Sequence, residues 1–216
     1  MYRSDGHNEF LRQVDSAILA FPSLTFIEKE GAPGLKGAID LLSADGTHLD
    51  QYELEIIATE RFPKTFPYIF ETGGKIPINY DWHVYETDGH CCIKTTPEEM
   101  IVCNRGITLV EFIEKEVKPY LFNQTFRRLN GYFYQERSHG IKGWLEYFYE
   151  VFGTTDLGIV RSGLSFLVKR EKLSRTAICF CGSRKKYRKC HRSTYEALSG
   201  LSDNDLTFIL GALGIA

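Results

Sequence analysis

Residues 36–58 read KGAIDLLSADGTHLDQYELEIIA. Apolar residues recur with a period of two in 36–42 and again in 51–58, a pattern typical of strands that bury one face. Asp45-Gly46 lies between the two segments, and this dipeptide favours the tight turn of a β-hairpin. The stretch therefore predicts a pair of antiparallel strands joined by a tight turn.

The segments on either side extend this pair into a larger fold. Period-two patterns at 24–29 and 66–71 predict two more strands, and hence a four-stranded antiparallel meander. Before the meander, residues 4–21 predict a helix that Pro22 ends. Its apolar stripe consists of Phe10, Val14, Ile18 and Phe21. After the meander, helical patterns begin near residue 108 and recur at 119–135, 141–152, 156–168 and 203–213, the last with Ser202 as its cap. The predicted fold class is α+β.

Residues 73–105 interrupt this regular pattern. They show little periodicity, although they contain several aromatic residues that are usually buried. A structureless stretch of this length inside a compact domain is usually functional rather than a linker. We therefore expect functional residues in this loop.

The charges are distributed unevenly along the chain. The 26 Lys and Arg residues nearly balance the 28 Asp and Glu residues, for a net charge of −2. Residues 169–192, however, contain ten basic residues and one acidic residue, so this basic segment carries +9 and the rest of the chain −11. The pattern predicts an acidic body with a basic docking segment near its C-terminus.

Composition excludes several classes of protein. No run of 18 apolar residues is present, so no membrane span is expected. The first residues lack the apolar stretch of a secretory signal, and six cysteines without such a signal indicate a reducing compartment. We therefore expect a cytoplasmic protein with no membrane partner.

A cysteine cluster stands inside the basic segment, where residues 179–191 read CFCGSRKKYRKCH. Cys179, Cys181, Cys190 and His191 make a complete tetrahedral ligand set for structural Zn²⁺. Nearby Lys and Arg side chains lower thiol pKa values and partly offset the charge of three thiolates. The alternative is a set of ordinary buried thiols among solvated charges.

This cluster also resembles the SEC-C motif, a short zinc-binding element appended to many bacterial proteins. The matching residues are Cys179, Cys181, Gly182, Ser183, Lys185, Lys186, Tyr187, Cys190 and His191. Phe180 and Arg184 depart from the usual Pro and Gly, but neither is a ligand. The resemblance implies a small metal-folded element used for contacts, because four protein ligands leave no open position for catalysis.

A second pair of cysteines, Cys91 and Cys92, ends the aperiodic loop. Cys92 is a candidate nucleophile, with His83 and His90 as nearby polar partners. The residues alone leave open a hydrolase, a thiol transferase, a metal site or two small core residues. Of the other polar groups, His90 is interpreted as a solvated loop residue and Cys103 as an ordinary thiol.

The order of features in residues 4–135 resembles the ubiquitin-conjugating enzyme (E2) fold: an N-terminal helix, a four-stranded meander, an active-site loop and C-terminal helices. Phe62-Pro63 and Phe66-Pro67 are similar to the family's proline-containing stretch, and Gly89-x-x-Cys92-Ile93 is similar to its active-site turn. The resemblance implies that Cys92 forms a thioester and that Cys91 occupies the apolar position before it.

The family's His-Pro-Asn motif is replaced here by His83-Val84-Tyr85. The resemblance gives His83 a structural role in the loop, and Tyr85 stands where the family has the Asn that stabilises the oxyanion. Oxyanion donors expected here are the Tyr85 hydroxyl or backbone N–H groups near Gly89. The surrounding residues are similar to bacterial E2-like proteins, which are commonly encoded in conjugation or antiphage operons.

The resulting hypothesis is a cysteine transferase in three parts: an E2-like domain (1–135), a helical extension (136–168) and a basic zinc motif with a terminal helix (169–216). Its implied partners are an E1-like activating enzyme, a ubiquitin-like protein or similar C-terminal tail, and a target protein. One alternative is a non-catalytic E2-fold adaptor whose residues 169–192 bind an acidic protein or nucleic acid. Another is a small cysteine-dependent hydrolase.

Overall fold

A computed structural model describes residues 3–170 and 173–214, which form two compact units. The first unit contains residues up to 94 together with 106–136, and the second contains 95–105 together with the described residues from 137 onward. The second unit thus combines the segments predicted as a helical extension and as a zinc motif. It also includes residues 95–105 from the middle of the chain.

The helices and strands follow one another in the predicted mixed order, which confirms the α+β class. Their bounds are α1 Asp5–Ala20, β1 Leu24–Lys29, β2 Ala32–Leu42, β3 His48–Ile57, β4 Tyr68–Glu71, α2 Thr96–Asn104, α3 Leu109–Phe112, α4 Lys118–Asn130, α5 Gly140–Phe152, α6 Leu157–Val168, α7 Arg192–Leu198 and α8 Asp203–Ala212. A π-helical turn, Ile113–Val117, joins α3 to α4. Single 3-10 turns lie at Tyr80–Trp82 and Tyr187–Lys189.

The four strands form one antiparallel sheet in the order β1-β2-β3-β4, as the meander prediction requires. The hairpin between β2 and β3 turns at Gly46, whose φ of 86° is accessible to glycine without strain. The backbone N–H of Ser43 donates to the carbonyl of Thr47 at 2.9 Å and closes this turn. The Asp45-Gly46 signal therefore identified the correct connection.

Helix α1 packs in the first unit with a slightly different stripe from the one predicted. Phe10, Val14 and Ala17 are buried, whereas Ile18 is only half-buried. Gly6 is also buried. A Cβ at this position would lie only 2.3 Å from the carbonyl oxygen of Glu60, so the close approach requires glycine. This close approach fixes the start of the helix against the segment that follows β3.

Asp50 is a buried carboxylate on β3 with a full set of donors. Its Oδ1 accepts from Lys75 Nζ at 2.7 Å and from the backbone N–H of Gln51 at 2.9 Å. Its Oδ2 accepts from Thr125 Oγ1 at 2.8 Å and from Arg128 Nη2. Burial by itself raises the pKa of Asp50, but these donors hold it well below its usual range. The network ties β3 to α4.

The second unit has its own apolar core. The buried members are Ile101, Trp144, Phe148, Phe152, Val160, Leu164, Leu167, Leu198, Leu201, Leu206 and Ile209. Helices α2 and α7 in this unit are not predicted by the sequence patterns. Both are short, and α2 lies inside the stretch expected to be irregular, where Pro97 and a Thr95–Glu98 capping box begin it.

Within the described ranges, no single helix is both long and apolar enough to cross a membrane. Helices α5 and α6 together meet that criterion by length and composition, but they are bent by 81° at their junction.

Candidate active site and metal centre

The metal centre is built on a tight loop followed by α7. The backbone N–H of Cys179 donates to the carbonyl of Lys185 at 3.0 Å, and that of Gly182 donates to Cys179 at 3.4 Å. Gly182 has a φ of 75°, which turns the chain between the first two cysteines and the basic run. The 3-10 turn Tyr187–Lys189 then returns Cys190 and His191 to the same point.

The four predicted ligands converge. Their candidate ligand atoms all lie within 4.8 Å of one another. Cys181 Sγ is 3.5 Å from Cys190 Sγ, and His191 Nδ1 is 3.4 Å from the sulfurs of both Cys179 and Cys190. A tetrahedral ion with ligands at about 2.0–2.3 Å requires separations of roughly 3.5–3.8 Å between them. The donor set therefore fits a metal ion.

The hydrogen bond of His191 Nε2 determines which ring nitrogen of His191 can bind a metal ion. His191 Nε2 lies 2.9 Å from the carbonyl oxygen of Phe152. A carbonyl oxygen only accepts, so Nε2 carries the proton and the lone pair is on Nδ1, which faces the sulfurs. This is the outer hydrogen bond that orients metal-binding histidines.

The thiols of the cluster have different proton affinities. Burial raises the pKa of Cys179 to about 11. Burial also acts on Cys181, but hydrogen bonds with Ser183 and with the neighbouring thiols lower its pKa to about 6. A bound cation favours the thiolate at every such position, since the thiolate is the form that binds metal.

Aromatic rings surround the cluster on its inner side. Phe180, the residue that departs from the motif's usual Pro, stacks on His191 with ring centroids 5.3 Å apart and on Phe166 at 5.2 Å. Phe152 approaches His191 from α5 at 5.8 Å. The departure from the motif is thus explained by packing of the loop on α5 and α6.

The outer side of the cluster is basic. Arg184, Lys185, Lys186, Arg188 and Lys189 are exposed, and none forms an ion pair with another described residue. Arg170 and Arg192, by contrast, pair with Asp203 and Glu196 at 2.7 Å. Glu171 and Lys172, which also belong to the basic segment, lie outside the described residues.

The central cysteine pair lies on a short ladder in the first unit. The backbone N–H of Cys92 donates to the carbonyl of His83 at 2.7 Å, and that of Tyr85 donates to the carbonyl of His90 at 2.9 Å. Cys91 forms a β-bridge with Val84 between these bonds. The ladder brings together the three residues predicted for the active site, Cys92, His83 and Tyr85, although they are separated along the chain.

The other edge of the same segment pairs with β4. His90 forms a bridge with Phe70, and the backbone N–H of Cys91 donates to Ile69 at 2.8 Å. Successive side chains in an extended segment point to opposite sides. Cys91 consequently faces the core, with 5% of its surface exposed, whereas Cys92 faces away from it and is half-buried.

Burial separates the two thiols chemically as well. It raises the pKa of Cys91 to about 12, which suppresses the thiolate at neutral pH. The Sγ of Cys92 makes a weak 4.0 Å contact with the carbonyl of Lys94. Cys92 is therefore the better candidate nucleophile of the pair.

Helix α4 holds the loop that carries His83. The Tyr120 hydroxyl donates to the His83 carbonyl at 3.1 Å, and Gln124 Nε2 donates to the Trp82 carbonyl at 2.8 Å. The His83 ring packs on Phe133, and its Nε2 lies 3.8 Å from a carboxylate oxygen of Glu136. Sequence patterns miss Tyr120 and Gln124, because no local signal marks a contact across about forty residues.

The backbone donors expected near Gly89 are already engaged. Gly89 N–H donates to the Tyr85 carbonyl at 2.8 Å, and His90 N–H donates to an Asp88 carboxylate oxygen at 3.2 Å. With the Cys91 and Cys92 N–H groups paired as above, residues 89–92 have no backbone donor left for an oxyanion. The turn uses these four donors to hold its own shape, and an oxyanion role for the other N–H groups near Gly89 stays a prediction.

His90 is half-buried and paired, in contrast to the solvated residue expected. Its Nδ1 lies 2.6 Å from Asp88 Oδ1, and its ring stacks on Tyr85 with centroids 4.2 Å apart and planes at 23°. The Tyr68 ring meets it edge-on at 5.0 Å. Burial raises the pKa of Asp88, but its hydrogen bonds with His90 lower it overall. Cys103 is buried on α2 in the second unit.

Residues 175–193 match the family described as the SEC-C motif. The match contains all four converging ligands and concerns the metal centre alone. No curated protein and no solved structure matches the chain.

Proposed function

We propose that the first unit is an E2-like cysteine transferase in which Cys92 carries a ubiquitin-like protein, or a similar C-terminal tail, as a thioester. The observation that carries this proposal is the ladder that pairs residues 90–92 with 83–85 and turns Cys92 away from the core. A helix, a four-stranded meander and this loop follow one another in the order of the E2 fold. We further propose that the protein acts in a bacterial conjugation or antiphage defence pathway.

The proposed reaction begins with a donor thioester on an E1-like activating enzyme. The Cys92 thiolate attacks the donor carbonyl, and the thiol of the activating enzyme leaves as a thiolate. One thioester replaces another, so the step is nearly isoenergetic. A nucleophile on the target protein then attacks the carbonyl and releases Cys92.

In this proposal the loop residues have distinct tasks. His83 positions Cys92, because its carbonyl accepts both the Cys92 N–H and the Tyr120 hydroxyl. Tyr85 is proposed as the oxyanion donor, because it stands where the E2 family has the Asn that stabilises the oxyanion.

We further propose that the metal is structural Zn²⁺. Three sulfurs and one imidazole nitrogen suit zinc in tetrahedral geometry, and a closed set of four protein ligands leaves no position for substrate. Metal analysis of protein purified without added metal should give about one zinc per chain. A zinc content near zero would refute the assignment.

An adduct assay tests the transferase proposal. The protein is incubated with its cognate activating enzyme, ATP and the ubiquitin-like protein, and is then resolved with and without reductant. We expect a reductant-sensitive adduct on the wild type that is absent from Cys92→Ala. Cys91→Ala is the matched control and should keep the adduct, because that thiol faces the core. An adduct that persists in Cys92→Ala, or that never forms with the cognate pair, contradicts the proposal.

The exposed cations around the metal centre favour a second candidate, a non-catalytic adaptor whose basic segment binds an acidic protein or nucleic acid. This adaptor would form no adduct in the assay above. Its partner binding would instead weaken on reversal of the exposed charges, for example in Lys185→Glu with Lys186→Glu.

A further inference from the structure

His90 and Asp88 form a hydrogen-bonded pair beside the proposed thioester residue. The carboxylate of Asp88 only accepts, so the 2.6 Å contact means that His90 Nδ1 carries a proton. In the neutral imidazole the lone pair is then on Nε2. Stacking on Tyr85 and the edge contact from Tyr68 hold the ring in place.

The pair lies on the same side of the chain as Cys92. Residue 90 bridges to Phe70 and residue 91 to Val84, so the segment is extended. In such a segment residues i and i+2 share a face, with a separation of about 6.6 Å along the strand. Cys91 takes the core face. His90 and Cys92 therefore share the outer face, spaced widely enough for an attacking group to lie between them.

We infer that His90 is the general base that removes a proton from the acceptor amine during its attack on the Cys92 thioester, and that Asp88 is its positioning residue. This inference rests on the proposed function. It names an acceptor class, a primary amine.

The proposed step transfers the acyl group from the Cys92 sulfur to the acceptor nitrogen. The amine nitrogen of the acceptor forms a bond to the thioester carbonyl carbon, and its proton passes to His90 Nε2. The tetrahedral intermediate collapses, the bond from carbon to Cys92 sulfur breaks, and Cys92 leaves as a thiolate. The products are an amide, the Cys92 thiolate and an imidazolium that the Asp88 carboxylate stabilises.

Discharge of a preformed thioester tests this role. Wild type, His90→Gln and Asp88→Asn are charged, the activating enzyme is stopped by removing Mg²⁺, and free lysine is added as acceptor. We expect charging to be unchanged within about twofold. The discharge rate at saturating lysine should fall by about 10²-fold or more in His90→Gln, and by a smaller factor in Asp88→Asn, which keeps the imidazole.

A matched control and a structural readout accompany the test. His48 also pairs with an aspartate, Asp40 at 3.3 Å, but it lies on β3, and His48→Gln should discharge like the wild type. The rate of Cys92 alkylation should be unchanged in His90→Gln if the loop is intact. Asp88→Asn alters an exposed carboxylate and provides a second variant should His90→Gln fold poorly.

The outcomes separate the two proposals. A thioester that forms on every variant and discharges from His90→Gln within threefold of the wild-type rate overturns the general-base role and leaves the transferase standing. Equal losses of charging, discharge and alkylation in His90→Gln overturn it in favour of a structural role. Absence of any thioester on the wild type overturns both.

Discussion

At the scale of the residue, Cys91 and Cys92 show how backbone alternation assigns chemistry to neighbours of the same type. Residues 90–92 pair with β4 on one side and with residues 83–85 on the other, and they are extended at this point. One thiol therefore enters the core and the next faces away from it. Burial then raises the pKa of Cys91. A one-residue slip would exchange the two environments.

This contrast predicts selective alkylation. At pH 8, iodoacetamide should modify Cys92 in the native protein and leave Cys91 unmodified, because a pKa of about 12 reduces the thiolate population of Cys91 about 10³-fold relative to an ordinary thiol. Peptide mass spectrometry before and after denaturation measures both sites. Rapid native labelling of Cys91 would contradict the assigned register.

Asp50 predicts an acid-dependent stability. Its pKa is depressed in the folded state, so its contribution is complete above the unfolded value of about 3.9 and is lost as pH falls through the folded value. At pH 7, Asp50→Asn should lower the free energy of unfolding by about 3 kcal/mol, since it leaves Arg128 and Lys75 without their buried partner. Urea denaturation at pH 7 and pH 3 checks this.

The matched control is Asp15→Asn, which alters an exposed carboxylate on α1. It should change the stability by less than about 0.5 kcal/mol. The difference between wild type and Asp50→Asn should also shrink at pH 3. A constant difference at both pH values would refute the assigned charge state.

At the scale of the element, α4 holds the loop at 82–92 in place through hydrogen bonds. The helix presents Tyr120 and Gln124 to two successive backbone carbonyls, those of His83 and Trp82. Gln124 is fully buried, so these bonds lie where water does not compete. The position of the loop is therefore determined by a helix that follows it in sequence.

Tyr120→Phe tests whether α4 holds the loop. Loss of the hydroxyl should lower the free energy of unfolding by about 1 kcal/mol and accelerate amide exchange at Cys92, whose N–H shares the His83 acceptor. Hydrogen exchange followed by mass spectrometry measures the effect on residues 83–92. Tyr132→Phe, on an exposed tyrosine, is the control. Equal exchange in both variants would mean that α4 does not hold the loop.

The sequence correctly predicted the start of α8, with Ser202 as its N-cap. Ser202 Oγ accepts from the Asp205 N–H at 3.1 Å, and an Asp205 carboxylate oxygen accepts from the Ser202 N–H at 2.9 Å. Ser202→Ala should destabilise the second unit by about 1 kcal/mol in thermal or urea unfolding. Ser193→Ala, on an exposed serine of α7, should have little effect. A neutral Ser202→Ala would show that the cap does not limit the stability of the helix.

At the scale of the whole molecule, the metal centre is part of the packing of the second unit. Its His191 bonds to the carbonyl that ends α5, and its Phe180 stacks on α6. Removal of the metal by a chelator should therefore accelerate amide exchange in 140–168 as well as in 179–191. Exchange in the sheet, residues 24–57, is the internal control and should not change. An effect confined to 179–191 would show that the centre folds by itself.

The sequence was sufficient where the signal is local. Alternation and Asp45-Gly46 predicted the meander, because strand periodicity and turn chemistry act over a few residues. The spacing of Cys179, Cys181, Cys190 and His191 predicted the metal cluster for the same reason, since one short loop supplies every ligand.

The surfaces that these elements present depend on how the folded chain packs. The tertiary structure placed Cys91 inward, engaged the N–H groups of 89–92, paired His90 with Asp88, and brought residues 95–105 into the second unit. The burial of Cys91 and the position of the loop depend on contacts between segments distant in sequence, such as β4 with residue 90 and α4 with residue 83. Local patterns carry no record of such contacts, because a side chain's environment is determined by what the rest of the chain packs against it.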